Sequence, residues 1–161
     1  MEWPLDEKLR RITDGGYDGI DIDYEQFAFA DGRDTWATTR PNWVAFVEEL
    51  AGALHADGHA LGIVTSKLEV GARRSLALIG VESCFSVVVG IDATTRHKPD
   101  PEPVRFALQA LDEPAPQRAV FIGDSTHDMN AGRAAGVHTA AALWGPNARE
   151  TLAPTVPTFW L

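Results

Sequence analysis

Apolar and polar positions fall into blocks that read as a repeated strand–helix unit, most regularly from residue 60 onward. Ala60–Thr65 is an apolar run ending in hydroxyls, and Glu69–Ile79 has the spacing of a helix stopped by Gly80. Phe85–Val89 is a second apolar run, followed by a polar loop over Gly90–Asp100. Pro101–Leu111 predicts a helix with proline at its start, where the missing N–H does no harm. Ala119–Ile122 predicts a buried strand, and a helix of small residues runs from there to Gly136. His138–Leu143 predicts a further strand, Asn147–Leu152 a short helix, and Thr158–Leu161 an edge strand.

Upstream, Trp3, Leu5, Leu9 and Ile12 predict an amphipathic helix over Glu2–Thr13, ended by Asp14-Gly15-Gly16. Gly19–Glu25 alternates, with Asp21, Asp23 and Glu25 on one face and Ile20, Ile22 and Tyr24 on the other. Trp43–Ala56 predicts a helix. Alternating strands and helices joined by right-handed crossovers imply an α/β fold, a three-layer doubly wound parallel sheet. All strands then deliver their carboxyl ends to one rim, the place where such sheets bind ligands.

A length of 161 residues suits one domain with a substantial core. The net charge of −9 argues against nucleic acid or an anionic membrane as a partner. It also means that an anionic substrate would need local cations. Cys84 is the sole cysteine, which excludes an intrachain disulfide and a cysteine metal cluster. No leader and no apolar run of spanning length is evident, so a cytoplasmic monomer or homodimer is expected.

The chemistry concentrates where strands end. Asp124 follows Gly123 at the end of the 119–122 run, with Asp128 four residues later. Two carboxylates with no basic residue between them suit a hydrated divalent cation such as magnesium. The plain alternative is a helix start with Asp128 in its first turn. Three carboxylates in a row at 21, 23 and 25 repel one another and need a cation, shared protons or hydrogen bonds. The alternative there is an acidic, solvent-facing edge strand.

GDSTHDMNAGRAAG, starting at Gly123, resembles the fourth motif of the haloacid-dehalogenase-like phosphohydrolases, the group that includes phosphoglycolate phosphatases. RHKPDPEP with Lys98 resembles their third motif, and GIVTSK with Thr65 and Ser66 their second. The resemblance covers about Leu61 to the C-terminus. It implies a Rossmann-like core, a magnesium ion and a small phosphorylated metabolite as substrate. In this family a DxD at the end of the first strand supplies a nucleophile and then a general acid–base. Asp21-Ile22-Asp23 is an available DxD, so the resemblance assigns Asp21 to form an aspartyl-phosphate and Asp23 to move the proton. Thr65, with Ser66, would bind the phosphoryl group, and Lys98 would neutralise its charge and hold the nucleophile. Asp124 would bind the metal with the Asp21 carboxylate and the Asp23 carbonyl, and Asp128 would support the metal shell.

DGIDIDYE, from Asp18 to Glu25, is similar to the signature of the chitinase-type family 18 glycoside hydrolases, where the last acid, here Glu25, is the general acid. That similarity continues through FAFADGRDTW and NWVAFVEELAGALHADG. A complete barrel of that family takes about 250 residues and is excluded by length. The two resemblances together suggest a chimera joined between His55 and Val64, residues 1–60 giving a barrel-like strand–helix fragment and 61–161 the phosphohydrolase core.

The first strand departs from the phosphohydrolase pattern. Tyr24 and Glu25 stand where a small residue and Thr or Val are usual, and a shift of two residues would make Asp23 the nucleophile and Glu25 the acid. Only about forty residues separate Asp23 from Thr65, which leaves no room for a sizeable cap domain. His97, His127, Arg33 and Arg40 are further candidate substrate contacts. Three functions remain open at this level: a magnesium-dependent phosphatase, a catalytically inactive chimeric scaffold, and a glycoside-hydrolase remnant around Glu25.

Overall fold

The computed structural model describes residues 47–112 and 115–161 and the backbone of residues 19–22. Among the described residues six strands form one parallel sheet: β1 (Gly19–Ile22), β2 (Ala60–Val64), β3 (Val87–Val89), β4 (Ala119–Gly123), β5 (His138–Ala141) and β6 (Phe159–Trp160). Their order is β3-β2-β1-β4-β5-β6, so β1 lies between β2 and β4 and the order reverses beside it. The helices are α1 (residues 47–56), α2 (Glu69–Leu78), α3 (Glu102–Ala110), α4 (Thr126–Ala135) and α5 (Arg149–Leu152).

Both faces of the sheet are covered, which is why its strands are almost wholly apolar. Leu61, Ile63, Val88, Val120 and Ile122 point to one face and pack with Leu50 and Leu54 of α1 and Leu76 of α2. Their neighbours Val64, Val87, Val89 and Phe121 point to the other, against Val104 and Ala107 of α3 and Ala131 and Ala135 of α4. The period of two along each strand thus feeds two cores, giving the three-layer doubly wound sheet expected from the sequence.

Several element boundaries fall inside the predicted ones, each for a local reason. The Phe85 N–H bonds back to the Glu82 carbonyl at 3.2 Å in a 3₁₀ turn, so β3 begins at Val87 instead of Phe85. The last helix begins at Arg149 and not at Asn147, whose side-chain amide donates to the Asp124 carbonyl at 2.9 Å. α4 ends as predicted at Gly136, which takes φ +87°, a left-handed conformation that glycine adopts without strain. Cys84 is half-buried at the margin of the core. The predicted helix over Glu2–Thr13 lies outside the described residues, as do Asp23 to Pro41 with Arg33 and Arg40.

Candidate active site

The carboxyl ends of β2 and β4 place Thr65 and Asp124 at one rim, on either side of β1. Thr65 is buried; its N–H donates to the Val89 carbonyl at 2.9 Å, and its hydroxyl oxygen accepts from the Lys67 N–H at 3.2 Å. This turn lifts Ser66 into solvent and sends the chain toward α2.

Lys98 comes from the loop after β3 and reaches across the rim. Its ammonium lies 3.0 Å from Asp128 Oδ1 and 3.3 Å from the Val64 carbonyl, and 6.0 Å above the Phe121 ring. Val64 ends β2 and Asp128 follows β4, so the cation stands at the carboxyl end of the strand between them, β1. The Lys98 and Asp128 side chains are only 4% and 1% exposed.

The loop that carries Lys98 is tied by Glu102, whose carboxylate accepts from the main-chain N–H groups of Thr95 (3.2 Å) and Arg96 (3.0 Å) and from Arg96 Nε (3.0 Å). Asp100 in turn accepts from the Glu102 N–H at 2.9 Å. The hydrogen bond from Arg96 holds the Glu102 carboxyl below its ordinary range, and the same bond raises the guanidinium. A lowered carboxylate stabilises the fold above its unfolded-state pKa, and that contribution disappears as pH falls through the lowered value.

Asp128 has a second role in local structure. Its Oδ2 accepts from the Ser125 N–H at 2.9 Å while Ser125 Oγ accepts from the Asp128 N–H at 3.2 Å, a reciprocal cap on α4. The Ser125 hydroxyl also donates to Oδ2. Ser125→Ala is expected to cost about 1 kcal/mol or slightly more, because cap and hydroxyl contact go together. A lower urea midpoint at constant slope would show it; an unmoved midpoint would mean the cap contributes nothing.

Asp124 is 8% exposed. Asn147 holds its carbonyl, and Gly145 passes directly over its carboxylate: a Cβ on Gly145 would stand 2.2 Å from the Asp124 Cβ and 2.4 Å from Oδ2. Neither residue was a candidate on sequence. A Gly-Pro-Asn stretch signals a turn and carries no chemical signature of its own.

The sequence expectations divide accordingly. Thr65, Lys98, Asp124 and Asp128 converge at one rim, with Ser66 beside them. Asp128, expected to support the metal shell, turns its two oxygens to Lys98 and to the Ser125 cap. Asp21 is level with Gly62 and Phe121, three residues before Thr65 and Asp124. Asp23 and Glu25 lie outside the described residues. His97 and His127 are exposed beside Lys98 and at the start of α4.

A reversal of strand order beside β1, with hydroxyl, ammonium and carboxylate groups gathered at the strand ends, defines a doubly wound α/β protein with an ionic site at its switch point. Residues 37–142 match the family model of the haloacid dehalogenase-like hydrolases, and the chain belongs to that family. The match begins well before Leu61 and takes in α1, upstream of the junction expected between two resemblances.

Among relatives, the pyrophosphatase PpaX of Bacillus velezensis is 40% identical over 115 residues, 71% of this chain and 53% of that protein. PpaX of Listeria monocytogenes is 37% identical over 115 residues, 71% of this chain and 52% of that protein. The chain spans about half the length of the curated relatives it matches. A haloacid dehalogenase-like family hydrolase from Streptococcus pneumoniae superposes with a TM-score of 0.68 at 16% identity, covering 90% of this chain and 93% of that one. A HAD-superfamily hydrolase from Ehrlichia chaffeensis gives 0.66 at 16% identity, covering 86% and 94%. These two likenesses concern the fold.

Proposed function

We propose that the chain carries a magnesium-dependent phosphohydrolase site that cleaves a small phosphomonoester through an aspartyl-phosphate. The observation that carries this reading is the buried Lys98 ammonium at the carboxyl end of β1, between the Thr65 and Asp124 rims. Phosphoryl transfer depends chiefly on positioning and on neutralising charge on the transferred group, and these residues supply both.

The donors fit a hard cation in kind. Asp124 offers a carboxylate at the rim, and its oxygen chemistry suits magnesium. Among the described residues no group of three or more His, Cys, Asp or Glu side chains forms a ligand cluster, so the acids of the Asp21–Glu25 run are the natural complement. When bound, magnesium would neutralise phosphoryl oxygens and orient them for attack.

The chain's own groups would divide the remaining work. Thr65 orients the phosphoryl group by its hydroxyl, and Lys98 offsets its charge. Asp128 keeps Lys98 in place. An acid of the β1 segment attacks phosphorus while the leaving oxygen departs with a proton from a second acid; water activated by that second acid then hydrolyses the acyl phosphate.

The register of β1 supports Asp23 over Asp21 as the nucleophile. Asp21 pairs three residues upstream of Thr65 and Asp124, roughly 10 Å along the strands at ~3.3 Å per residue. Asp23 directly follows Ile22, the last strand residue, and Glu25 would then be the acid. The relatives named as pyrophosphatases extend the candidate substrates to a phosphoanhydride.

The test is hydrolysis of an aryl phosphate and of inorganic pyrophosphate, with and without magnesium, beside Asp124→Asn, Asp21→Asn and Asp23→Asn. Magnesium-dependent turnover is expected, reduced at least about a hundredfold by Asp124→Asn. It should vanish in Asp23→Asn and survive in Asp21→Asn. The reverse pattern restores the Asp21/Asp23 assignment, and a folded, magnesium-binding chain without turnover means the site was inherited without its chemistry.

A further inference from the structure

We infer that Gly145 and Asn147 are positioning residues for Asp124, forming a clamp that presets this carboxylate for a divalent cation. The inference rests on the metal-binding reading of Asp124 given above.

The loop after β5 grips the end of β4 at three points on two consecutive residues, Gly123 and Asp124. The Ala142 N–H donates to the Gly123 carbonyl at 2.8 Å, extending the ladder by one bond beyond the strand. Gly145 then passes over the Asp124 side chain, near enough that any Cβ would overlap Cβ, Cγ and Oδ2 of the carboxylate at 2.2–2.7 Å. Asn147 closes the turn by donating from Nδ2 to the Asp124 carbonyl at 2.9 Å. Main chain and side chain of one acid are thus held by one loop. A carboxylate fixed in this way has less freedom to lose on binding a cation, and groups that orient a ligand contribute strongly to metal affinity.

The loop is itself anchored away from the site. The Leu143 N–H donates to the Leu161 carbonyl at 3.1 Å, the Arg149 guanidinium lies 4.0 Å over the Trp160 ring, and Leu152 is fully buried with Met129 and Ala141. β6 and α5 therefore brace the clamp from behind. This gives the C-terminal segment a role at the rim that its distance in sequence conceals.

The experiment is calorimetric titration of magnesium into the full chain and into Gly145→Ala, Asn147→Ala, Asn147→Asp and Asn147→Gln, without substrate, with melting temperatures recorded alongside. Asn147→Asp keeps the size and removes the donor, so it tests the contact even where Gly145→Ala disturbs folding. Magnesium affinity is expected to fall roughly 10- to 100-fold in the alanine and aspartate variants. It should recover in large part in Asn147→Gln, which keeps the amide. Where turnover is measurable, raised magnesium should restore kcat while the substrate KM stays near that of the parent. A parent chain that binds magnesium without turnover overturns the hydrolase reading and leaves the clamp to be decided by these affinities. Variant affinities within twofold of the parent overturn the clamp, as does a parent chain that binds no magnesium.

Discussion

Replacing Lys98 by methionine is expected to lower the melting temperature by on the order of 10 °C and to abolish turnover. The substitution keeps the apolar stem and removes the ammonium, leaving the Asp128 carboxylate buried without the cation 3.0 Å away. Breaking one side of a buried pair typically costs about 3–5 kcal/mol, a large share of a domain's stability. For a chain of this length each kcal/mol is worth roughly 2–4 °C.

Asp128→Asn in the Lys98→Met background should recover part of the loss, because a neutral amide strands no charge. Thermal melts of the four combinations make the measurement. A Lys98→Met chain melting within a degree or two of the parent would show that the pair contributes no stability.

Phe121→Ala is expected to destabilise by about 3–5 kcal/mol and to reduce turnover with it. The ring is 1% exposed in β4 and fills the core between the sheet and α3 and α4. α4 lies directly on it at Gly132, where an added Cβ would stand 3.0 Å from the Phe121 ring, so the surrounding elements have little room to close the cavity. The same ring underlies the Lys98 ammonium. Phe121→Leu retains most of the volume and should cost less than about 1.5 kcal/mol. Denaturant unfolding of both variants separates the cases: equal losses would mean that cavity volume is not the controlling quantity.

How much of this was legible in the sequence depended on how local each feature is. Most of the segment Ala119–Gly136 is legible, since strand, turn, acid, helix and terminating glycine follow one another and each carries its own signal, whereas the Ser125 cap emerges only in the structure. The motifs of Thr65 and Lys98 point to the phosphoryl group and the nucleophile as their partners and carry no sign of the Lys98–Asp128 contact. The spacing of Asp128 from Asp124 points to a place near a metal; its contact with Lys98, thirty residues away, cannot be read from spacing. Nothing in the sequence singles out Gly145 and Asn147, because close approach between a glycine and a carboxylate leaves no trace in either residue's own neighbourhood.

The first strand shows the division most sharply. By itself the sequence determined that Gly19–Glu25 alternates, that acids share one face, and that apolar runs downstream would form a doubly wound sheet, because these depend on periodicity along the chain. It left a second register, Asp23 with Glu25, open beside the Asp21 and Asp23 assignment, since a shift by two residues preserves a period of two. Only the tertiary structure decided that Asp21 pairs with Gly62 and Phe121, and that a lysine, a capped aspartate and a glycine-lined loop meet around the end of that strand. Hydrogen-bond ladders and side-chain packing between distant segments fix such relations, and a linear pattern does not contain them.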